Sequence, residues 1–274
     1  MKLIKNICLL GASIALLTGC NSDLMDLTPY DSIASGNMWT TENLADMGVT
    51  GIYNVLRSEN VAGDLHKFDS YGVSADYRDG NYSLLRGNAT TGDGQFSGYW
   101  KINYEGISRC NDAITNLPKA PLSLEKLSRL TAESKFMRAF FYYRLNMMYK
   151  GVPIYLEPAE LDELVKGRNT EAEVWAQVIS DLTEAIDTPD LPDKYPAGDA
   201  SYGRVTKGAA YAYIGWAHLT RAYEESASKD SELKAAVDAF NNVKGYGLVK
   251  NFKSMFDGSN KNSQEGIFEL QMSM

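Results

Sequence analysis

Between about residue 42 and residue 244 the apolar positions recur at helical spacing in successive blocks, separated by polar punctuation. Leu44, Met47, Ile52, Val55 and Leu56 mark one face of a helix over Glu42 to Arg57, with Thr40 or Thr41 as its N-cap. The pattern resumes from about Tyr99 to Leu117 and stops at Pro118. The clearest helix begins after Ser123 and runs to Met148, ahead of Gly151, with Phe136, Ala139, Phe140, Tyr143, Leu145 and Met147 on a broad apolar face. Pro153 forbids helix and makes Val152 to Leu156 a short extended piece. Thr170 and Glu173 have capping-box spacing for a helix to about Ile186, closed by Pro189 and Pro192. Gly203 to Tyr223 and Ser231 to Lys244 predict a last helical pair, ended by Gly245 and Gly247. Residues 60–94 break the series. They are rich in Gly, Asp, Asn, Ser and Tyr, have no helical period and predict a long loop, which in a compact domain is usually functional. The expected fold is mostly all-α, built of helix pairs with long irregular loops.

Two spacings in the last pair resemble the tetratricopeptide repeat. Ile214-Gly215 matches its Leu-Gly position, and Ala236 with Phe240 matches its Ala-x-x-x-Phe pair. The small residues let two helices approach, and the aromatic fills the gap between neighbouring pairs. The intervening loop is longer than the repeat allows.

The N-terminus fixes the expected compartment. Lys2 and Lys5 precede an apolar run from Ile7 to Leu17, followed by Thr18-Gly19-Cys20. This is the layout of a secretory signal peptide over residues 1–19, too short for a membrane span of about 20 apolar residues. Its ending resembles a bacterial lipobox, which makes Cys20 the lipidated first residue of the mature protein. Acyl chains bury about 0.8 kcal/mol per methylene, so a multiply acylated Cys20 is a durable anchor. The polar and acidic residues Asn21, Ser22 and Asp23 resemble a surface-export signal.

Charge and composition narrow the chemistry. The net charge is −8 and loss of Lys2 and Lys5 makes the mature chain more acidic still, which disfavours nucleic acid as a partner. With Cys8 in the leader and Cys20 lipidated, Cys110 has no intramolecular partner; it sits in a helical pattern and is expected as a buried small hydrophobe. His66 and His218 are the only histidines, and no His/Cys cluster has metal-ligand spacing, so neither metal nor cofactor is expected. His218 is expected to be packed. There is no Gly-x-Ser-x-Gly elbow and no phosphate-binding Gly-rich loop. No carboxylate pair stands out for glycosidic chemistry, and an enzyme is not expected. Asp162, Glu163, Glu171, Glu173 and Asp181 are expected on solvated helix faces, and Trp39, Trp100 and Trp175 in the core. Tyrosines outnumber phenylalanines, 17 to 9, and offer flat faces with polar tips beyond their use in helix packing.

Several stretches in order point to one family. Tyr99-Trp100 leads through Ile107 to Cys110-Asn111-Asp112-Ala113-Ile114. Glu133 to Tyr143 follows, then Tyr149-Lys150-Gly151-Val152-Pro153-Ile154, Arg168-Asn169-Thr170 with Val174-Trp175 and Asp181-Leu182, Gly203 to Ala210, and Glu265 to Gln271. With the lipobox, this order resembles the SusD/RagB family of outer-membrane nutrient-binding lipoproteins over nearly the whole chain. The resemblance implies tetratricopeptide-like helix pairs over residues 20–274. It also implies an outer-membrane, surface-exposed location and a SusC-like TonB-dependent transporter as partner. The function it implies is capture of oligosaccharides, or in some members peptides, for that transporter. Family members run longer, with the Glu-Gly-Ile-Phe-Glu stretch near their middle. The chain therefore looks like the N-terminal portion of the family fold.

The loop region supplies the ligand candidates: Tyr77, Arg78, Asp79, Asn81, Tyr82 and Arg86 combine aromatic faces with charged and amide side chains, the mixture that holds a sugar. The competing readings are a peptide- or glycopeptide-capturing protein of the same architecture, a helical-repeat scaffold that binds only protein, and a truncated remnant without function.

Overall fold

The structure is a computed structural model in which residues 37–58, 61, 88, 90–159, 165–224 and 228–271 are described. The chain divides into two units, 1–38 and 39–274, and all that follows concerns the second. Its helices are α1 (Glu42–Asn54), α2 (Gly94–Asn116), α3 (Leu124–Tyr149), α4 (Glu171–Asp187), α5 (Lys207–Glu224) and α6 (Lys229–Phe240). Short 3₁₀ turns follow α1 and α2, and a third covers Phe252–Met255. No strand occurs among the described residues, so the fold is all-α there.

From α2 onward each helix packs on its sequence neighbour, α2 on α3 through to α5 on α6, and α1 lies against α2 and α3. The caps that start them are those the residue types dictate. The Thr41 hydroxyl accepts from the Leu44 amide at 3.2 Å, and Ser123 does the same for Lys126 at 3.2 Å. Thr170 and Glu173 close a reciprocal capping box at the start of α4.

Three boundaries differ from the sequence pattern. α2 begins at Gly94 rather than Tyr99, because its first turn carries little apolar period. α5 begins at Lys207 rather than Gly203: Gly203 takes φ +92°, which breaks the helix, and the Thr206 hydroxyl accepts from the Ala209 amide at 3.1 Å. α6 spans Lys229–Phe240 and ends short of Lys244. Phe268 packs its ring against Phe136 at 5.3 Å and also meets Tyr53 and Phe140.

α3 is the centre of the core. Phe136, Met137, Phe141, Tyr142 and Leu145 are all fully buried and lie around its circumference, because helices cover it on several sides. The tetratricopeptide-like spacing has a clear physical basis in the last pair. A Cβ on Gly215 would stand 2.4 Å from the Phe240 ring, so only glycine lets α6 seat that ring on α5. The aromatic thus fills the space within the pair, not between pairs as the repeat pattern suggests.

The end of α3 sets up the site. Lys150 (φ 56°) and Gly151 (φ 97°) are both left-handed, which turns the chain sharply out of the helix. The Arg168 guanidinium caps this end, donating to the Gly151 carbonyl at 2.8 Å and to the Tyr149 and Lys150 carbonyls. The chain then runs extended from Val152 to Leu156, as Pro153 requires, but without a strand partner among the described residues.

Candidate functional site

The extended segment after α3 forms a ridge beside one face of α2. Between them lies a cleft of about 450 Å³, within the range of small-ligand sites. Trp100, Tyr104, Ile107, Ser108 and Asn111 of α2 form one wall, at spacings that place them on one helix face. Pro153, Tyr155 and Glu157 form the ridge side, and Lys166 closes one margin.

The aromatic wall is fixed by its neighbours. The Trp100 ring lies 4.8 Å from Tyr104 and meets Tyr149 edge-on at 5.0 Å, while Tyr104 meets Tyr155 edge-on at 6.0 Å. Trp100 remains 36% exposed, so part of its ring is open to the cleft. The expectation that Trp100 belongs to the core is therefore corrected: it flanks the buried stripe of α2 and does not lie on it. Trp39 and Trp175 are buried as expected.

A ridge without a strand partner needs other groups for its backbone. Side chains from the helices supply them. The Tyr104 hydroxyl donates to the Pro153 carbonyl at 2.7 Å. The Tyr142 hydroxyl donates to the Tyr155 carbonyl at 2.9 Å and accepts from the Tyr155 amide at 2.7 Å. The Asn111 amide donates to the carbonyls of Tyr155 at 3.0 Å and Glu157 at 3.2 Å. The Ile154 amide donates to the Asn169 side-chain oxygen at 3.0 Å. Burial pushes the Tyr104 and Tyr142 hydroxyls well above the usual tyrosine range, which keeps both as neutral donors.

Behind this set stands a buried ion pair. Arg138 of α3 donates through Nε and Nη2 to the two carboxylate oxygens of Asp181 on α4, at 2.8 and 2.7 Å. Its Nη1 reaches the Asn111 side-chain oxygen and the Leu156 carbonyl, each at 3.0 Å. Burial alone would lower the Arg138 pKa, but the hydrogen bonds and charge of Asp181 outweigh it and raise it. Asp181, expected on a solvated face, is 1% exposed. The correction has a simple cause: Asp181 lies on the same stripe as Val174, Val178, Leu182 and Ala185, all buried.

The remaining expected residues sort as follows. Cys110 is buried, and burial raises its thiol pKa, so it is an inert packing residue. His218 is partly covered and pairs through Nδ1 with Glu232 at 2.6 Å. Glu173 is exposed on the first turn of α4. Tyr77, Arg78, Asp79, Asn81, Tyr82 and Arg86 lie outside the described residues, as do Cys20, His66, Asp162 and Glu163. Among the described residues no group of three or more His, Cys, Asp or Glu side chains could hold a metal ion. Tyr104, Tyr155, Glu157 and Lys166 were not among the candidates. The available signal was Trp100 with Tyr104 one turn later, facing a proline-fixed segment that carries Tyr155.

The cleft has the chemistry of a site for a ligand with flat apolar faces and polar edges. Ring faces, a carboxylate and an ammonium border it, and the Lys166 ammonium lies 4.8 Å above the Tyr155 ring. A SusD-like family model, described as "Starch-binding associating with outer membrane", matches residues 23–219. The chain belongs to this SusD-like family. A SusD-like protein of Formosa agariphila is 26% identical over 94% of the chain and 50% of its own length. A SusD-like protein of Bacteroides ovatus is 23% identical over 97% of the chain and 50% of its own length. Among solved structures, a laminarin-binding SusD-like protein superposes with a TM-score of 0.71 at 27% identity, covering 84% of this chain and 51% of that one. Surface glycan-binding protein A of Bacteroides thetaiotaomicron, solved with laminarihexaose, shares the fold with a TM-score of 0.66 at 21% identity, covering 84% of this chain and 49% of that one. The SusD-like chain spans about half the length of these relatives. Among the described residues no helix is long and apolar enough to cross a membrane.

Proposed function

We propose that this SusD-like protein is a non-catalytic glycan-binding protein and that the cleft between α2 and the 153–157 ridge holds an oligosaccharide. The observation that carries the proposal is the partly open Trp100 ring. It stands in a cleft with Tyr104 and Tyr155, each held by hydrogen bonds to or from the same ridge. A sugar offers C–H faces to such rings and hydroxyls to a carboxylate and an ammonium. The family description and the laminarin-binding relative favour a polysaccharide source for the ligand. The loop residues Tyr77, Arg78, Asp79, Asn81, Tyr82 and Arg86 are proposed as additional ligand contacts.

A glycan array separates this from a protein-only scaffold. The proposal expects selective binding to one class of oligosaccharide; binding to no glycan, with binding to peptides instead, would replace it by the peptide-capture reading.

The cellular part of the proposal rests on the leader for the anchor and on the SusD-like family resemblance for the outer membrane and the transporter. Cys20 carries the lipid anchor, the protein sits on the outer membrane facing outward, and it hands its ligand to a SusC-like TonB-dependent transporter. Cys20→Ala should leave the protein unprocessed or release it from membranes. Normal processing and full membrane retention of that variant would contradict the anchor.

A further inference from the structure

The ridge has two sides. In an extended segment successive side chains point to opposite faces. Pro153 faces the Trp100 cleft, whereas Ile154 and Leu156 line a second groove of about 510 Å³ that adjoins it. Tyr155, Glu157 and Lys166 border both grooves, so the two adjoin at the ridge. The floor of the second groove differs in chemistry. It is lined from α4 and the residues before it by Asn169, Glu173 and Gln177. Asn169 and Glu173 are engaged by the Ile154 amide and the capping box, respectively. Gln177, one turn after Glu173, is half-buried and has no hydrogen bond from its side chain to any described residue. A half-buried amide that presents both a donor and an acceptor to a groove is suited to a hydroxyl-rich ligand.

Building on the glycan reading, we propose that the second groove is a further subsite. One linear oligosaccharide crosses the ridge, with one sugar against Trp100 and a later sugar hydrogen-bonded by Gln177. Lys166, common to both grooves, lies along the crossing. The site therefore selects by chain length: a disaccharide fills the Trp100 cleft alone, and a hexasaccharide reaches both.

The test uses the hexasaccharide best bound on an array of linear glucans, xylans and mannans, with the disaccharide of the same linkage, in isothermal titration. The wild-type chain should bind the hexasaccharide more tightly than the disaccharide. Gln177→Ala, a substitution that favours helix, should weaken the hexasaccharide about fivefold, the worth of one net hydrogen bond, and leave the disaccharide unchanged. Equal hexasaccharide affinity in Gln177→Ala and wild type, or equal affinity of the wild type for both lengths, overturns the subsite while leaving the Trp100 cleft standing. Equal weakening of both lengths by Gln177→Ala also overturns it, because the effect would then not be confined to the second groove. A wild-type chain that binds nothing on the array overturns the subsite and the glycan reading together.

Discussion

Asp181→Ala should destabilise the protein by about 3–5 kcal/mol, the usual cost of removing one partner from a buried ion pair. The carboxylate accepts two hydrogen bonds from Arg138, and both side chains are almost wholly buried, at 6% and 1% exposure. Truncation leaves the guanidinium without a counter-charge in the interface of α3 and α4. It also loosens Nη1, which holds Asn111 and the Leu156 carbonyl. The second effect makes a double replacement informative. Arg138→Met with Asp181→Leu removes the stranded charge, which in simpler cases restores stability. Here it also strands an Asn oxygen and a backbone carbonyl, so a deficit of about 1–3 kcal/mol should persist. Urea unfolding of the single and double variants, with unchanged m-values, measures both quantities. A loss under about 1 kcal/mol in Asp181→Ala would show that the pair carries little of the fold.

The same pair links the fold to the site. Arg138 and Asn111 together donate to three successive carbonyls, those of Tyr155, Leu156 and Glu157. The position of the ridge side chains in the cleft is thus set from the core by α3 and α4.

What the sequence showed and what it hid have separate physical causes. Caps are local, so Ser123 and the Thr170–Glu173 box were legible from residue type and spacing alone, and the α1 cap to within Thr40 or Thr41, of which the structure uses Thr41. Gly215 and Phe240 were legible as close-packing positions but not as each other's partners: the repeat pattern puts the ring between helix pairs, whereas it seats on Gly215 within the pair. Asp181 was misplaced although its register was in view: it falls three residues after Val178 and four before Ala185, on the buried stripe of α4. An acid on such a stripe implies a buried cation, and Arg138 supplies it from a site 43 residues away, which no local pattern reveals. Trp100 failed in the opposite sense. Its period makes it a neighbour of the buried Tyr99 and Asn103, but exposure depends on whether another element covers that flank of α2. The 153–157 ridge borders the same cleft and leaves Trp100 36% exposed. The cleft arises between segments about 50 residues apart, so its residues could be recognised only once the end of α3 had been placed.

Trp100→Ala should also have a large effect, and it tests whether the α2–ridge cleft is the glycan site. Stacking on an aromatic ring contributes about 0.5–1.5 kcal/mol beyond its buried area, so loss of the exposed Trp100 face should weaken the array-selected hexasaccharide at least about tenfold. The substitution should leave the fold intact, since the ring is 36% exposed and its main contacts are with Tyr104 and Tyr149 at the surface of the bundle. Isothermal titration of wild type and Trp100→Ala, with Tyr77→Ala and Tyr82→Ala beside them and thermal unfolding as the control, is the measurement. A loss of affinity of about tenfold or more is expected in Trp100→Ala, with a thermal transition close to that of the wild type. Undiminished affinity in a folded Trp100→Ala protein, particularly with binding lost in Tyr77→Ala or Tyr82→Ala, would contradict it and move the site to the 77–86 loop.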